Sequence, residues 1–276
     1  MPLLDNNIDM NNIILTGALG GMGKEIVKLL TSQGYEVYGL DILNDDLNIE
    51  HFHYCQVDLT DINSVRNVYN KISQEISEVD ALILTAGIYD LNSLVEMSEE
   101  DFIRIFNINV FANYRMNKIF LPLLKKKGKI IMVSSELAPL DPLPFTGIYA
   151  LTKTTIEKYA YALRMELNLL DYQVVIIRPG AIDTSLINVS TSKLDKFCSN
   201  TSLYKTNSKR FQDIVNKVEA KKIPPIRIAY LASKILKKKR PRYVYKINRN
   251  PWLLILNVLP QRLQTKIITR ILKTKD

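Results

Sequence analysis

Tyr149 and Lys153 stand four residues apart in YALTK, at the head of a segment, TTIEKYAYALRMEL, whose pattern predicts a continuing helix. That spacing puts both side chains on one helix face. A phenol that titrates near ~10 is a poor base at neutral pH, and an ammonium beside it favours the phenolate and moves proton transfer into an efficient range. The pair is therefore expected to exchange a proton, with Lys153 holding the tyrosine pKa down.

A second constellation precedes it. The run NIILT leads into Thr16-Gly17-Ala18-Leu19-Gly20-Gly21-Met22-Gly23 and then into a helical pattern. A strand, a tight glycine turn and a helix N-terminus form the setting that a dinucleotide pyrophosphate requires. Backbone must approach the phosphates closely, and the first helical N–H groups supply donors and partial positive charge. Asp41 closes the next apolar run, 18 residues beyond Gly23. A carboxylate there would hydrogen-bond the adenosine ribose hydroxyls and repel a 2′-phosphate. No Arg or Lys follows within 42–49, and Gly20 rather than a basic residue precedes Gly21. The expected cofactor is NAD(H), preferred over NADP(H).

These residues need a frame. Seven short runs, 12–16, 35–41, 51–57, 80–86, 129–135, 173–179 and 242–247, read as strands, most of them apolar on both faces. Strands of that kind, separated by helix-length segments, belong in a parallel sheet covered on both sides. The fold class expected is α/β, a single Rossmann-type doubly wound sheet of about seven strands. Thr60-Asp61 marks a helix start and Gly34 a helix stop. No repeat or linker divides the chain, so residues 10–248 form one domain, with 1–9 expected as a disordered extension and 249–276 as a C-terminal one.

Composition narrows the classes. With 276 residues and 47% hydrophobic content, the chain can bury a large core. Two cysteines make no disulfide framework, and His51 and His53, same-face neighbours on a strand, suit packing better than metal ligation; no metal is expected. The N-terminus carries Asp5 and Asp9 and no apolar run, which points to the cytoplasm. The net charge of +9 is uneven: residues 234–276 hold 13 Lys/Arg against Asp276, leaving −3 for the rest. Without a binding motif this is no nucleic-acid signature.

Taken together, the motifs resemble the short-chain dehydrogenase/reductase family of the classical type across nearly the whole chain. TGALGGMG fits its turn through Thr16, Gly17, Gly21, Met22 and Gly23. Asp58 and Leu59 in VDLTD fall where the family meets the adenine; Ala86 and Gly87 follow the fourth strand; Asn109 precedes Pro122; Ser135 ends the fifth strand; RPGAIDT supplies Pro179, Gly180, Ile182 and Thr184. The resemblance implies that Tyr149 passes the proton, that Lys153 lowers its pKa and holds the nicotinamide ribose, that Ser135 polarises the substrate oxygen and that Asn109 holds a relay water. It also implies a homodimer or homotetramer built on the helices around 100–122 and 149–170. Hydride transfer to a ketone creates an alkoxide, which a serine hydroxyl and a tyrosine can meet.

The sequence departs from that pattern in three places. Leu84-Thr85-Ala86-Gly87 replaces the usual asparagine pair. The Ser135–Tyr149 interval, 13 residues, is one residue longer than the family's usual spacing, so that Ser134 is a second candidate. Gly20 also satisfies the turn of sugar-nucleotide epimerases, although chain length and RPGAIDT argue against that branch. Residues 185–225 are expected to close over the substrate as a lid. With Leu137, Phe145 and Leu186 near the chemistry, the expected substrate is an apolar secondary alcohol or ketone, steroid-, retinoid- or lipid-like. Two other readings of the same fold are a catalytically silent dinucleotide-binding regulator and an epimerase-like enzyme. Finally, Leu263, Ile267, Ile268, Ile271 and Leu272 recur at helical spacing among Arg262, Lys266, Arg270 and Lys273, a basic amphipathic helix that could meet a membrane, a partner or its own domain.

Overall fold

A computed structural model describes residues 11–44, 47–184, 194–219 and 221–273. The extension expected over 1–9, Leu186 and part of the expected lid lie outside these residues. The elements run β1 (Asn12–Thr16), α1 (Gly21–Thr31), β2 (Glu36–Asp41), β3 (Phe52–Gln56), α2 (Ile62–Glu75), β4 (Val79–Leu84), α3 (Glu99–Phe106), α4 (Ala112–Phe120), β5 (Leu124–Val133), α5 (Gly147–Asn168), β6 (Gln173–Pro179), α6 (Lys205–Glu219), α7 (Ile226–Leu236), β7 (Val244–Ile247), α8 (Pro251–Val258) and α9 (Gln261–Leu272). A further helical segment covers 194–200.

All seven strands pair in parallel, in the order β3-β2-β1-β4-β5-β6-β7. Alternation of side chains along each strand divides the core in two. Ile14, Leu82, Ile130 and Ile176 face a layer that includes Phe120 and Ile156. Ile13, Ala81, Ile131 and Val175 face Ile26, Leu30, Ile228 and Ala232. Both faces are covered, which is why the strands read as continuous apolar runs. The chain moves outward from β1 to β3 and then crosses back to β4. The carboxyl ends of β1 and β4 therefore form the crevice at which doubly wound sheets bind ligands.

Local chemistry sets the helix starts. The Asp61 carboxylate accepts the Asn63 N–H at 2.9 Å, and the Ser98 hydroxyl accepts the Asp101 N–H at 3.1 Å. The helix through 99–120 is interrupted by one π-type turn, Asn107–Phe111. Most strands begin or end one or two residues from expectation, and β5 departs furthest. β5 begins at Leu124 and ends at Val133, its register with β4 shifting between Val79 and Ala81, so Ser134 and Ser135 follow the strand instead of closing it. The Ser134 and Glu136 N–H groups still bond Ile177 and Pro179 carbonyls, which carries the edge of the sheet past the strand end.

The C-terminal extension is docked on the domain. Leu272 of α9 is buried with Leu91, Leu194, Phe197 and Phe211, and Ile268 packs against them. Asn207 and Arg210 of α6 donate to the Leu272 and Lys273 carbonyls, both at 2.8 Å.

Candidate active site

The glycine turn and the end of β2 build the first half of the site. Gly17 has φ +68°, and a side chain there would press on the Ala86 backbone at 2.9 Å. A Cβ on Gly23 would lie 2.0 Å from the Gly17 carbonyl oxygen, so only glycine lets α1 pack this close to the turn. Gly20 caps α1 without a side-chain hydrogen bond, which leaves the first-turn N–H groups facing a groove of about 390 Å³. Gly21, Met22, Asp41, Asp58, Leu59 and Ala86 are among its walls. The Asp41 carboxylate is fixed by the N–H groups of Leu19 (3.0 Å), Ile42 (2.8 Å) and Leu43 (3.2 Å). Asp58 accepts the N–H and hydroxyl of Thr60 at 2.8 and 2.7 Å. This cradle of bare backbone, helix N-terminus and oriented carboxylate fits a dinucleotide. Gly23→Ala is expected to cost several kcal/mol in stability, roughly the 1–3 kcal/mol of an overpacked site or more, and to abolish cofactor binding; melting and NADH titration check it.

The second half lies on β4, the loop after β5 and α5. The helix carries Tyr149 and Lys153 to the same side, with the Lys153 Nζ 5.6 Å from the Tyr149 ring centroid. Lys153 is only 6% exposed, and its Nζ donates to the Val133 carbonyl at 3.2 Å. Burial lowers its pKa to about 8, against the partial support of Glu157. Glu157 is itself held by Arg178 at 2.6 and 2.5 Å. Tyr149 differs from the sequence expectation. Burial pushes the phenol up to about 12, opposed only by a hydrogen bond with Ser135. The lysine ammonium is turned toward a carbonyl, and desolvation of the phenolate dominates, so the resting side chain is a protonated acid.

Of the two serines, Ser135 is the one that meets Tyr149, and its Oγ also accepts the Leu137 N–H at 3.2 Å. The Ser134 Oγ is buried without a partner among the described residues. Asn109 is fully buried in the π turn. Its amide accepts the Ile88 N–H at 2.8 Å and donates to the Ile88 carbonyl (2.9 Å) and Thr152 Oγ1 (3.1 Å). The Asn113 amide donates to the Asn109 carbonyl at 2.8 Å. Gly87 lies between these groups: a Cβ there would come within 3.2 Å of the Asn109 Oδ1 and 3.5 Å of the Lys153 Nζ.

Beside the pair opens a cavity of about 210 Å³ that joins the groove through Met22, Gly87 and Thr184. Its walls are mainly apolar, with Leu137, Leu143, Ile214, Val215 and Leu253 among them, and Ser135, Tyr149 and Glu136 stand as polar groups. Pro179, Gly180, Ile182 and Thr184 line it on the β6 side. A groove shaped for a dinucleotide that opens onto a mainly apolar cavity with a hydroxyl, a phenol and a buried ammonium could place a carbonyl beside a hydride source and a proton donor.

The family model of the short chain dehydrogenases matches residues 11–195. The chain belongs to the short chain dehydrogenase family. It is 29% identical over 237 residues to a 3-ketodihydrosphingosine reductase of Bacteroides thetaiotaomicron, covering 85% of this chain and 87% of that one. It is 25% identical over 280 residues to an NADPH-dependent 3-dehydrocapnine reductase of Ornithobacterium rhinotracheale, covering 96% and 98%. A solved short chain dehydrogenase family protein from Francisella tularensis superposes with a TM-score of 0.72 at 23% identity, covering 86% and 97%, which shows the shared fold. Oxidoreductase chemistry with a nicotinamide dinucleotide is the family's.

Within this short-chain dehydrogenase, most of the sequence-derived residues come together and a few do not. Thr16 is buried, and ties β1 to β4 instead of lining the groove: its carbonyl accepts the Thr85 hydroxyl at 2.7 Å and its hydroxyl the Ala86 N–H at 3.4 Å. Phe145 stands behind the cavity, with φ +65° and its ring against Phe197, Tyr204 and Phe211. Tyr89, Glu136 and Leu253 are among the wall residues not singled out from the sequence. Tyr89 packs edge-on against Tyr149 at 4.5 Å, Glu136 follows Ser135, and Leu253 arrives from the C-terminal extension. Tyr89 lies two residues past Gly87 at a strand's carboxyl end, a position that could have marked it. Leu253 has no such signal. His51 and His53 both bond the Glu36 carboxylate at 2.7 Å, and no cluster of three or more metal-ligating side chains occurs among the described residues.

Proposed function

We propose that this short-chain dehydrogenase is an NAD(H)-dependent oxidoreductase that interconverts an apolar secondary alcohol and its ketone, with Tyr149 as proton donor and acceptor. The observation that carries the reading is that Ser135, Tyr149 and Lys153 share the wall of a mainly apolar cavity that is continuous with the dinucleotide groove. When bound, the nicotinamide supplies or accepts the hydride. Tyr149, protonated at rest, gives its proton to the substrate oxygen as negative charge develops there, and Ser135 donates a hydrogen bond to the same oxygen. Lys153 lends positive charge near the phenol and reaches the nicotinamide ribose. Asn109 fixes the loop at Ile88 and, through Thr152, the helix that carries both.

Two further parts of the reading concern specificity. Asp41 offers a carboxylate where an adenosine ribose lies, and no Arg or Lys lines the groove among the described residues, which supports NAD(H). The relative from Ornithobacterium is named for NADPH, which makes the cofactor preference the first point to measure. Glu136 places a carboxylate in a mainly apolar cavity. One oxygen accepts the Asn250 N–H at 2.6 Å, and the other takes no hydrogen bond among the described residues. A long-chain ketone with a cationic amine beside its carbonyl, the chemistry for which the Bacteroides relative is named, would satisfy both features.

Titration of NADH and NADPH fluorescence with the wild type and Asp41→Ala tests the cofactor, and a panel of steroid, retinoid and long-chain ketones in the same cuvette tests the reaction. NADH is expected to bind more tightly by at least about tenfold, the worth of a charge-assisted hydrogen bond, and Asp41→Ala to erase the difference. Equal binding of both cofactors by the wild type removes the NAD assignment, and binding without oxidation by any ketone removes the reaction.

The family's pairing surface is also open. Phe111 and Tyr114 near and on α4, and Leu151, Tyr161 and Met165 on α5, are 41–56% exposed. A homodimer or homotetramer built on these helices would cover them, and light scattering at micromolar concentration is expected to give a mass above the monomer's 31.6 kDa.

A further inference from the structure

Residues 251–258 read PWLLILNV, apolar except for Asn257. Pro251 occupies the first turn of α8, and the Asn250 side chain accepts the Trp252 N–H at 3.0 Å, so the segment is a capped helix. None of its residues is buried. Trp252 is 70% exposed, Ile255 57% and Val258 85%, at the three-residue spacing of one helix face, while Leu253 reaches inward to the substrate cavity. A helix with apolar residues on its inner and outer surfaces belongs between two apolar media.

The helix is held in this position. Its N-terminus is tied to the catalytic loop through the Asn250 N–H and Glu136, and α9 beyond it is pinned by Gln264, whose amide donates to the Asp141 carboxylate at 3.0 Å. The outward side of α9 adds exposed Leu263 and Ile271, at 43% and 50%, among exposed Arg262, Lys266, Arg270 and Lys273. The basic run Lys237–Arg242 lies upstream on the same 43-residue tail, whose 13 Lys/Arg face only Asp276.

We propose that α8 and the outer edge of α9 dock on an anionic lipid bilayer, so that the wall formed by Leu253 separates the substrate cavity from the acyl layer. Apolar burial and lipid charge act together there: Trp252, Ile255 and Val258 enter the interface while the surrounding cations meet phosphate. The charge decides against a second copy as occupant, since a two-fold contact would bring the same basic surface against itself. The docking stands independently of the reaction proposed above, because it needs neither cofactor nor turnover.

Trp252 is the chain's single tryptophan, so emission excited selectively at tryptophan, beyond the tyrosine absorption, reports this surface. The full chain is mixed with vesicles of equimolar phosphatidylglycerol and phosphatidylcholine, or of phosphatidylcholine alone, and followed by emission wavelength and flotation. A blue shift and flotation with the anionic vesicles, weakened by salt, are expected. Ile255→Glu/Val258→Glu, both at exposed positions, is expected to lower the partition by about tenfold or more with melting temperature and NADH binding unchanged. Failure of the wild type to float with anionic vesicles overturns the proposal. So does flotation that the double variant leaves intact, or a blue shift without lipid that depends on protein concentration and marks self-association through this face.

Discussion

Tyr149→Phe is expected to lower turnover by about 10²–10⁴-fold, the usual worth of a positioned proton donor, and to leave NADH affinity and melting temperature nearly unchanged. The substitution keeps the ring that packs edge-on against Tyr89 and removes only the oxygen that meets Ser135. The cavity wall keeps its shape, and the change falls on the proton-transfer step. Single-turnover oxidation of bound NADH by a ketone substrate, read beside NADH titration and thermal melting, checks each part. Loss of activity with a matching loss of melting temperature would place Tyr149 in the packing, and retained turnover would assign the proton to another group.

The sheet was legible in the sequence because both of its faces are covered. NIILT, DALILTA and QVVIIRP read as apolar runs since Ile13 and Ile14, or Val174 and Val175, enter opposite cores. Strand ends were less legible: the shift between Val79 and Ala81 and the early start at Leu124 depend on pairing with β4, which no local pattern records. The glycine turn carried its meaning in spacing, because Gly17 and Gly23 must be glycine for steric reasons. Asn109 was found by type and position, yet the π turn that buries it and the Asn113 amide on its carbonyl come from tertiary packing. The Tyr149 shift ran opposite to expectation for the same reason. Spacing puts an ammonium near a phenol, but desolvation, a property of the whole fold, sets the sign. The remaining wall, Leu253, is joined to the site by a hydrogen bond spanning 114 residues, from Asn250 to Glu136.

Lys153→Met is expected to abolish turnover and, at neutral pH, to raise stability. The ammonium is 6% exposed, donates one hydrogen bond, to the Val133 carbonyl, and has its pKa lowered from 10.5 to about 8. The folded state therefore disfavours the charged form by about 3–4 kcal/mol, at about 1.4 kcal/mol for each pH unit of displacement. The sign follows from proton counting. Between pH 8 and 10.5 the unfolded chain holds this proton and the folded chain has released it, so the stability contributed by Lys153 rises with pH across that window. Tyr149 acts in the other direction above pH 10, where the folded phenol keeps a proton that the unfolded one loses, so the rise is cleanest between 8 and 10. Methionine fills a similar volume without a charge and should remove that rise while adding stability at pH 7. Urea unfolding of the wild type and variant at pH 7, 8, 9 and 10 checks it. A variant less stable than the wild type at pH 7, with the rise retained, would mean that the Val133 hydrogen bond outweighs the desolvation of the charge.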